Sequence, residues 1–143
     1  MKFSPFFGAL LLLASPAWAD HFHYLKCDVL TSLATKQVDT NQVLERNQIE
    51  EEAFFKVDTT NGRVTINKTD WEGVTIANGI AYYEATIGGG FRTLQSQFTL
   101  EFSPPGRFNK QVMTTIDDAF QEEIAKGFCQ SSDEATFERA FRH

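Results

Sequence analysis

The sequence predicts a mainly β fold: an antiparallel meander that closes into a small barrel or sandwich, with one or two short C-terminal helices. Three observations predict it. Two Asn-Gly dipeptides sit between alternating segments, the stretch from Phe91 to Phe102 alternates apolar with polar residues, and a single pair of cysteines lies near the two ends. An α+β arrangement is the alternative, because residues 31–51 carry little pattern and residues 116–126 read two ways.

Taking the elements in order, Lys2 precedes the apolar run Phe6–Ala14, Pro16 interrupts it, and Ala17-Trp18-Ala19 follows. A positive n-region, a short apolar stretch and small residues at −3 and −1 define a secretory signal peptide. The expectation is a signal peptide at 1–19, cleaved before Asp20, and a single disulfide-closed β-rich domain at 20–143. The apolar run is too short for about 30 Å of hydrocarbon, and no later segment replaces it. The expected location is therefore periplasmic or secreted, with no membrane span after cleavage. In an oxidising compartment Cys27 and Cys129 are expected to form one structural disulfide. Closing so long a loop stabilises by about 4–5 kcal/mol in the entropic description. The C-x-x-C spacing of redox and zinc sites is absent.

A first strand is expected from Phe22 to Leu30. Asn61-Gly62 then marks a hairpin, since Asn-Gly tolerates the positive φ of a two-residue turn. Counting outward from that turn pairs Thr59 with Val64 and Val57 with Ile66, which places Phe55, Val57, Val64 and Ile66 on one face. Asn78-Gly79 repeats the device, with Ile76 opposite Ala81 and with Thr75 and Tyr82 on the other face. Gly88-Gly89-Gly90 reads as a third loop. Beyond it Leu94, Phe98, Leu100 and Phe102 share a core face. Residues 53–102 are thus a five-strand meander, which Pro104-Pro105-Gly106 ends, and Phe108–Met113 adds a strand. Gln42–Glu52 reads as either a helix or a polar loop.

Thr115-Ile116-Asp117-Asp118 has the form of a capping box, Ile116, Phe120 and Ile124 recur at i+4, and Gly127 suits a helix C-terminus. A helix over 116–126 is the favoured reading. A strand is the alternative, because Phe120, Glu122, Ile124, Lys126 and Phe128 also alternate. Ser132-Asp133-Glu134-Ala135 predicts the start of a short helix with Phe137 and Phe141 on one face.

Few residues are arranged for chemistry. The histidines, His21, His23 and His143, all lie close to the ends of the expected domain, where side chains are seldom held as a general base must be. Asp20–His23 is expected to be a solvated tail rather than a metal site. Glu50-Glu51-Glu52, Asp117-Asp118 and Glu122-Glu123 are adjacent carboxylates, which point apart on strands and helices alike. Gly88–Gly90 lacks the Lys-Ser or Lys-Thr of a phosphate loop, and no serine sits in a G-x-S-x-G elbow. Asn67-Lys68-Thr69 is a glycosylation sequon that matters only in a eukaryotic secretory pathway. No catalytic residue, no metal ligand and no cofactor is predicted. Trp71, Tyr82 and Tyr83 are the candidate ligand or partner contacts, because aromatic side chains with polar tips serve both.

The net charge of −6 and the lack of a basic cluster argue against nucleic acid as a partner. They favour a basic envelope or secreted protein. Phe55-Lys56-Val57-Asp58-Thr59-Thr60-Asn61-Gly62-Arg63, with a cysteine in the first and last segments, resembles small exported β-rich proteins of proteobacteria. That resemblance implies a β-rich exported domain and no particular functional residue. Two functions fit. One is an exported binding protein without catalytic activity, a protein-partner or inhibitor-type module of the cell envelope. The other is a small barrel for an apolar ligand, which an interior pocket lined by Trp71, Tyr82 and Phe98 would favour.

Overall fold

The computed structural model describes residues 22–142 except 41, 68, 90 and 91. The expected signal peptide at 1–19, the cut before Asp20, and His21 and His143 lie outside the described residues. Among the described residues there are nine strands: β1 (Phe22–Gln37), β2 (Val43–Asp58), β3 (Arg63–Thr65), β4 (Glu72–Gly73), β5 (Thr75–Ala77), β6 (Ile80–Gly89), β7 (Arg92–Phe102), β8 (Pro105–Ile116) and β9 (Ala119–Ser131). A short helix follows, α1 (Glu134–Ala140). The strands form one sheet in the order β4-β3-β2-β1-β9-β8-β7-β6-β5, and neighbours are antiparallel throughout. Because β4 and β5 are separated only by Val74, the two edges of the sheet return to one another and the meander becomes a nearly closed barrel.

The seam is the pairing of β1 with β9. It runs from Leu25 opposite Ser131 to Gln37 opposite Ala119, and Cys27 faces Cys129 within it. Those two sulfurs are bonded, linking residues 102 apart in sequence. Gly127 has no side chain for a local reason. A Cβ there would lie 2.5 Å from the Asp28 carbonyl oxygen and 3.0 Å from a Val29 methyl.

Closure is confined to one end. On its outer side β2 pairs with β3 only at Lys56–Asp58, and β6 pairs with β5 only at Ile80–Tyr82. Among the described residues, 43–55 of β2 and 83–89 of β6 therefore have one strand neighbour each. The buried apolar side chains gather toward the closed end: Leu25, Cys27, Val29, Phe55, Val57, Val64, Ala81, Leu100, Phe102, Phe108 and Ala125. The α1 helix covers part of the outside of that end. Asp133 caps it by accepting from the Thr136 amide at 2.7 Å, and Phe137 is buried against Tyr24.

Several expectations need correction. Residues 116–126 are not helical. Asp117-Asp118 forms a hairpin turn between Ile116 and Ala119, with Asp117 at φ 55°, and β9 continues from it. Pairing on both sides, to β1 and to β8, outweighs a weak local preference for helix. In the segment Gln42–Glu52, residues from Val43 onward belong to β2 rather than to a helix or loop. The third loop is not centred on the glycines: Gly88 and Gly89 are in β6, Gly89 pairs with Arg92, and the two residues between them lie outside the described residues. His23 is not in a solvated tail. It is half-buried in β1 with its ring 4.9 Å from that of Phe102.

The first hairpin has the expected faces in a different register. Asp58 pairs with Arg63 and Val57 with Val64, so the loop spans four residues, and Gly62 has the positive φ expected of it, 61°. The cause is Asp58, fully buried, which accepts from the Asn61 amide, the Asn61 carboxamide at 2.9 Å and Arg63 Nε at 2.9 Å. A two-residue shift preserves the facing because side chains alternate with period two. The second hairpin is as expected: Ile76 faces Ala81, Thr75 faces Tyr82, and Asn78 and Gly79 have φ of 54° and 76°.

Two predictions follow from seam and loop. Unreduced protein should contain no reactive thiol, and joint Cys27→Ala and Cys129→Ala substitution should cost about 2–4 kcal/mol in urea melts. An unchanged midpoint would refute the stabilising role. Burial works against ionisation of Asp58, but the hydrogen bonds from Asn61 and Arg63 prevail and hold it below its ordinary value of 3.8. Its contribution is therefore complete above about pH 4 and is lost as the pH falls through the depressed value. Asp58→Asn should cost about 1–3 kcal/mol at pH 7, and the gap to the parent should narrow in acid. A gap independent of pH would show that the charge is not involved.

Candidate functional site

Alternation along the strands decides which side chains enter the barrel. From β2 to β6 an aromatic row crosses the inner face. Phe55 and Phe108 have centroids 4.9 Å apart, Phe108 and Phe98 6.2 Å, and Phe98 stacks on Tyr83 at 5.1 Å. The neighbouring inner positions are small. Thr31, Ala53, Ser96 and Ala125 leave room that the rings do not fill, and a cavity of about 420 Å³ results. Its floor is Val29, Ala53, Phe55, Val64, Phe98, Phe108 and Ala125, and its rim carries Glu51, Asp70, Glu72, Lys110 and Glu123.

Rim electrostatics are acidic. Among the described residues lining the cavity there are four carboxylates and one ammonium, and that ammonium, on Lys110, is held by Glu123 at 3.0 Å. Glu72 on β4 meets the Tyr83 hydroxyl on β6. Burial, together with the charge and acceptor oxygen of Glu72, raises Tyr83 above the ordinary phenol value. This contact joins strands from the two ends of the sheet near the mouth. Asp70 is presented by an Asn67-centred turn, in which the Asn67 carboxamide oxygen accepts from the amides of Thr69 and Asp70 at 2.9 and 2.8 Å. The sequon asparagine thus has a structural use of its own.

Of the aromatic contacts expected from sequence, Tyr83 lines this cavity, whereas Tyr82 and Trp71 do not. Tyr82, next in the same strand, points to the outer face and is 43% exposed. It borders a larger and more open outer depression of about 910 Å³, bounded mainly by polar residues such as Glu84, Gln97, Thr99, Asn109 and Gln111. Trp71 lies against the Arg63 guanidinium at 4.1 Å and within 5.9 Å of the Lys56 ammonium. The interior pocket is therefore not the expected trio of Trp71, Tyr82 and Phe98; of these only Phe98 lines it.

Sequence reasoning missed Phe55, Phe108, Lys110 and Glu123 as wall residues. A signal was present in Ala53, between Glu51 and Phe55, and in Ser96, between Leu94 and Phe98: small residues whose alternation partners are large. Among the described residues no group of three or more His, Cys, Asp or Glu side chains is placed to hold a metal ion. No helix among them is long and apolar enough to cross a membrane. Comparison with protein-family models, curated proteins and solved structures finds no match.

Proposed function

We propose that this protein is a binding module whose inner cavity takes a small molecule with an apolar body and a protonated amine. The observation that carries the reading is the pairing of an aromatic, aliphatic floor with an acidic rim. Ligand cavities of roughly 300–1,000 Å³ usually combine apolar walls with a few placed polar groups, and this one lies in that range. Stacked Tyr83 and Phe98 give an electron-rich surface on which a cation is stabilised. Glu51 and Asp70 supply charge at the mouth, while Lys110, neutralised by Glu123, does not oppose it. Binding of this kind develops the alternative expected from sequence, a small barrel for an apolar ligand, and requires no turnover.

Decylamine, decanol and decanoate, titrated calorimetrically below their micelle concentrations at pH 7, separate the contributions of chain and charge. The amine should bind about tenfold or more tighter than the acid, a difference of about 1.4 kcal/mol, with the alcohol between. Ala125→Phe should remove binding of all three by filling the floor. Joint Glu51→Gln and Asp70→Asn substitution should remove the amine's advantage and leave the alcohol unchanged. Equal affinities for amine and acid would discard the acidic rim as the determinant, and no binding by any probe would discard the cavity.

A further inference from the structure

We propose that the outer edge of β2, residues 43–55, is a docking edge that receives an extended, basic segment of a partner protein as an added strand. The observations are separate from those on the cavity ligand, apart from Glu51, which borders both the cavity and the edge. β1 pairs with β2 along nearly its full length, while on the opposite side only Lys56–Asp58 have a partner in β3. Among the described residues, backbone donors and acceptors of alternate residues in 43–55 therefore have no strand partner on that side. Such an edge is a template for strand addition, in which main-chain hydrogen bonds supply affinity and alternate side chains supply selectivity. Every residue from Val43 to Glu52 is exposed, so the described chain leaves most of this edge uncovered.

Charge selects the occupant. Glu45, Glu50, Glu51 and Glu52 stand on this edge against a single Arg46. Register places Glu45 and Glu51 on the inner face, opposite Thr35 and Val29, and Glu50 and Glu52 on the outer face, opposite Leu30 and Asp28. An incoming strand meets carboxylates whichever face its side chains take. Among the described residues, Glu52 has a cation at hand, Lys26 at 2.7 Å. A second copy of this chain would set the same acidic edge against itself, and like charges across paired strands destabilise them. Alternating lysine or arginine residues turn that repulsion into attraction. The other unpaired edge, residues 83–89 of β6, carries only Glu84 and ends in Gly88-Gly89, so it has no comparable charge selectivity.

The test uses a peptide alternating lysine with valine and threonine, its glutamate counterpart, and the lysine peptide N-methylated at alternate amides. Amide hydrogen exchange of the whole protein locates the contact, and fluorescence anisotropy measures affinity at low and high salt. The lysine peptide should slow exchange within 43–55 and bind at least about tenfold more tightly than either control, less so at high salt. Replacing Glu45, Glu50 and Glu52 by Gln should lower its affinity about tenfold with the urea midpoint preserved. If that variant does not fold, the N-methylated control decides alone, since it alters only the peptide. Protection elsewhere, or equal binding of the N-methylated peptide, would overturn the proposal in favour of undirected charge attraction. A dimer in sedimentation whose protection covers 43–55 would assign the edge to a second copy instead. Absence of binding by the lysine peptide would overturn it outright.

Discussion

Pairing of the first long strand with the last holds this domain together. A meander can be built hairpin by hairpin from local turns, but such a sheet keeps two free edges and one uncovered apolar face. Here β1 and β9 bring residues about a hundred positions apart into register, and the Cys27–Cys129 bond lies directly across that register. Leu25, Cys27 and Val29 then face Phe55 and Phe108 across a common interior. The entropic cost of closing so long a loop is large and is met mainly by burial of that interior. The covalent link lowers it further by restricting the unfolded chain.

The bridge between the sheet edges divides the barrel into two regions. At the closed end, β3, β4 and β5 bridge the edges and the interior is packed with apolar side chains. Toward the other end the bridge stops, β2 and β6 diverge, and small inner residues leave the cavity open between them. The exposure of Ile49 and Ile87 on inner positions fits this division, as they extend past the level at which the core is sealed. A site at the boundary between sealed and open halves has a rigid aromatic floor and an accessible rim. Those properties suit selective binding better than storage of a purely apolar molecule.

Acidity has a consistent role in this architecture. Carboxylates that would only keep a compact protein soluble are concentrated here on the cavity rim and on the long edge of β2. On that edge like charges would face each other in any pairing between copies, which opposes the hazard of an exposed strand. The same charges favour a cation, whether on a small molecule in the cavity or along an extended chain beside it. Phe128 and Leu30, exposed on the outer face next to Glu50 and Glu52, lie on the same flank.

What the sequence by itself determined was local. Asn78-Gly79 prescribed its turn, its register and the facing of Ile76 and Tyr82, because positive φ at adjacent residues is a property of those two residues alone. Gly62 likewise marked a turn, and the alternation from Leu94 to Phe102 marked a core face. The register of the first hairpin was not legible, because it depends on Asp58 reaching over the loop to Asn61 and Arg63. For residues 116–126, helical and strand periodicities coexist. Only the partners on either side, together with the need for no Cβ at Gly127, decided in favour of β9. The cavity was least legible of all. Tyr83 was recognised as an aromatic contact, but Lys110, Glu123, Phe55 and Phe108 became neighbours only through the seam and the coiling of the sheet. A strand's inward face is set by its own alternation, whereas what that face meets is set by strands far away in sequence.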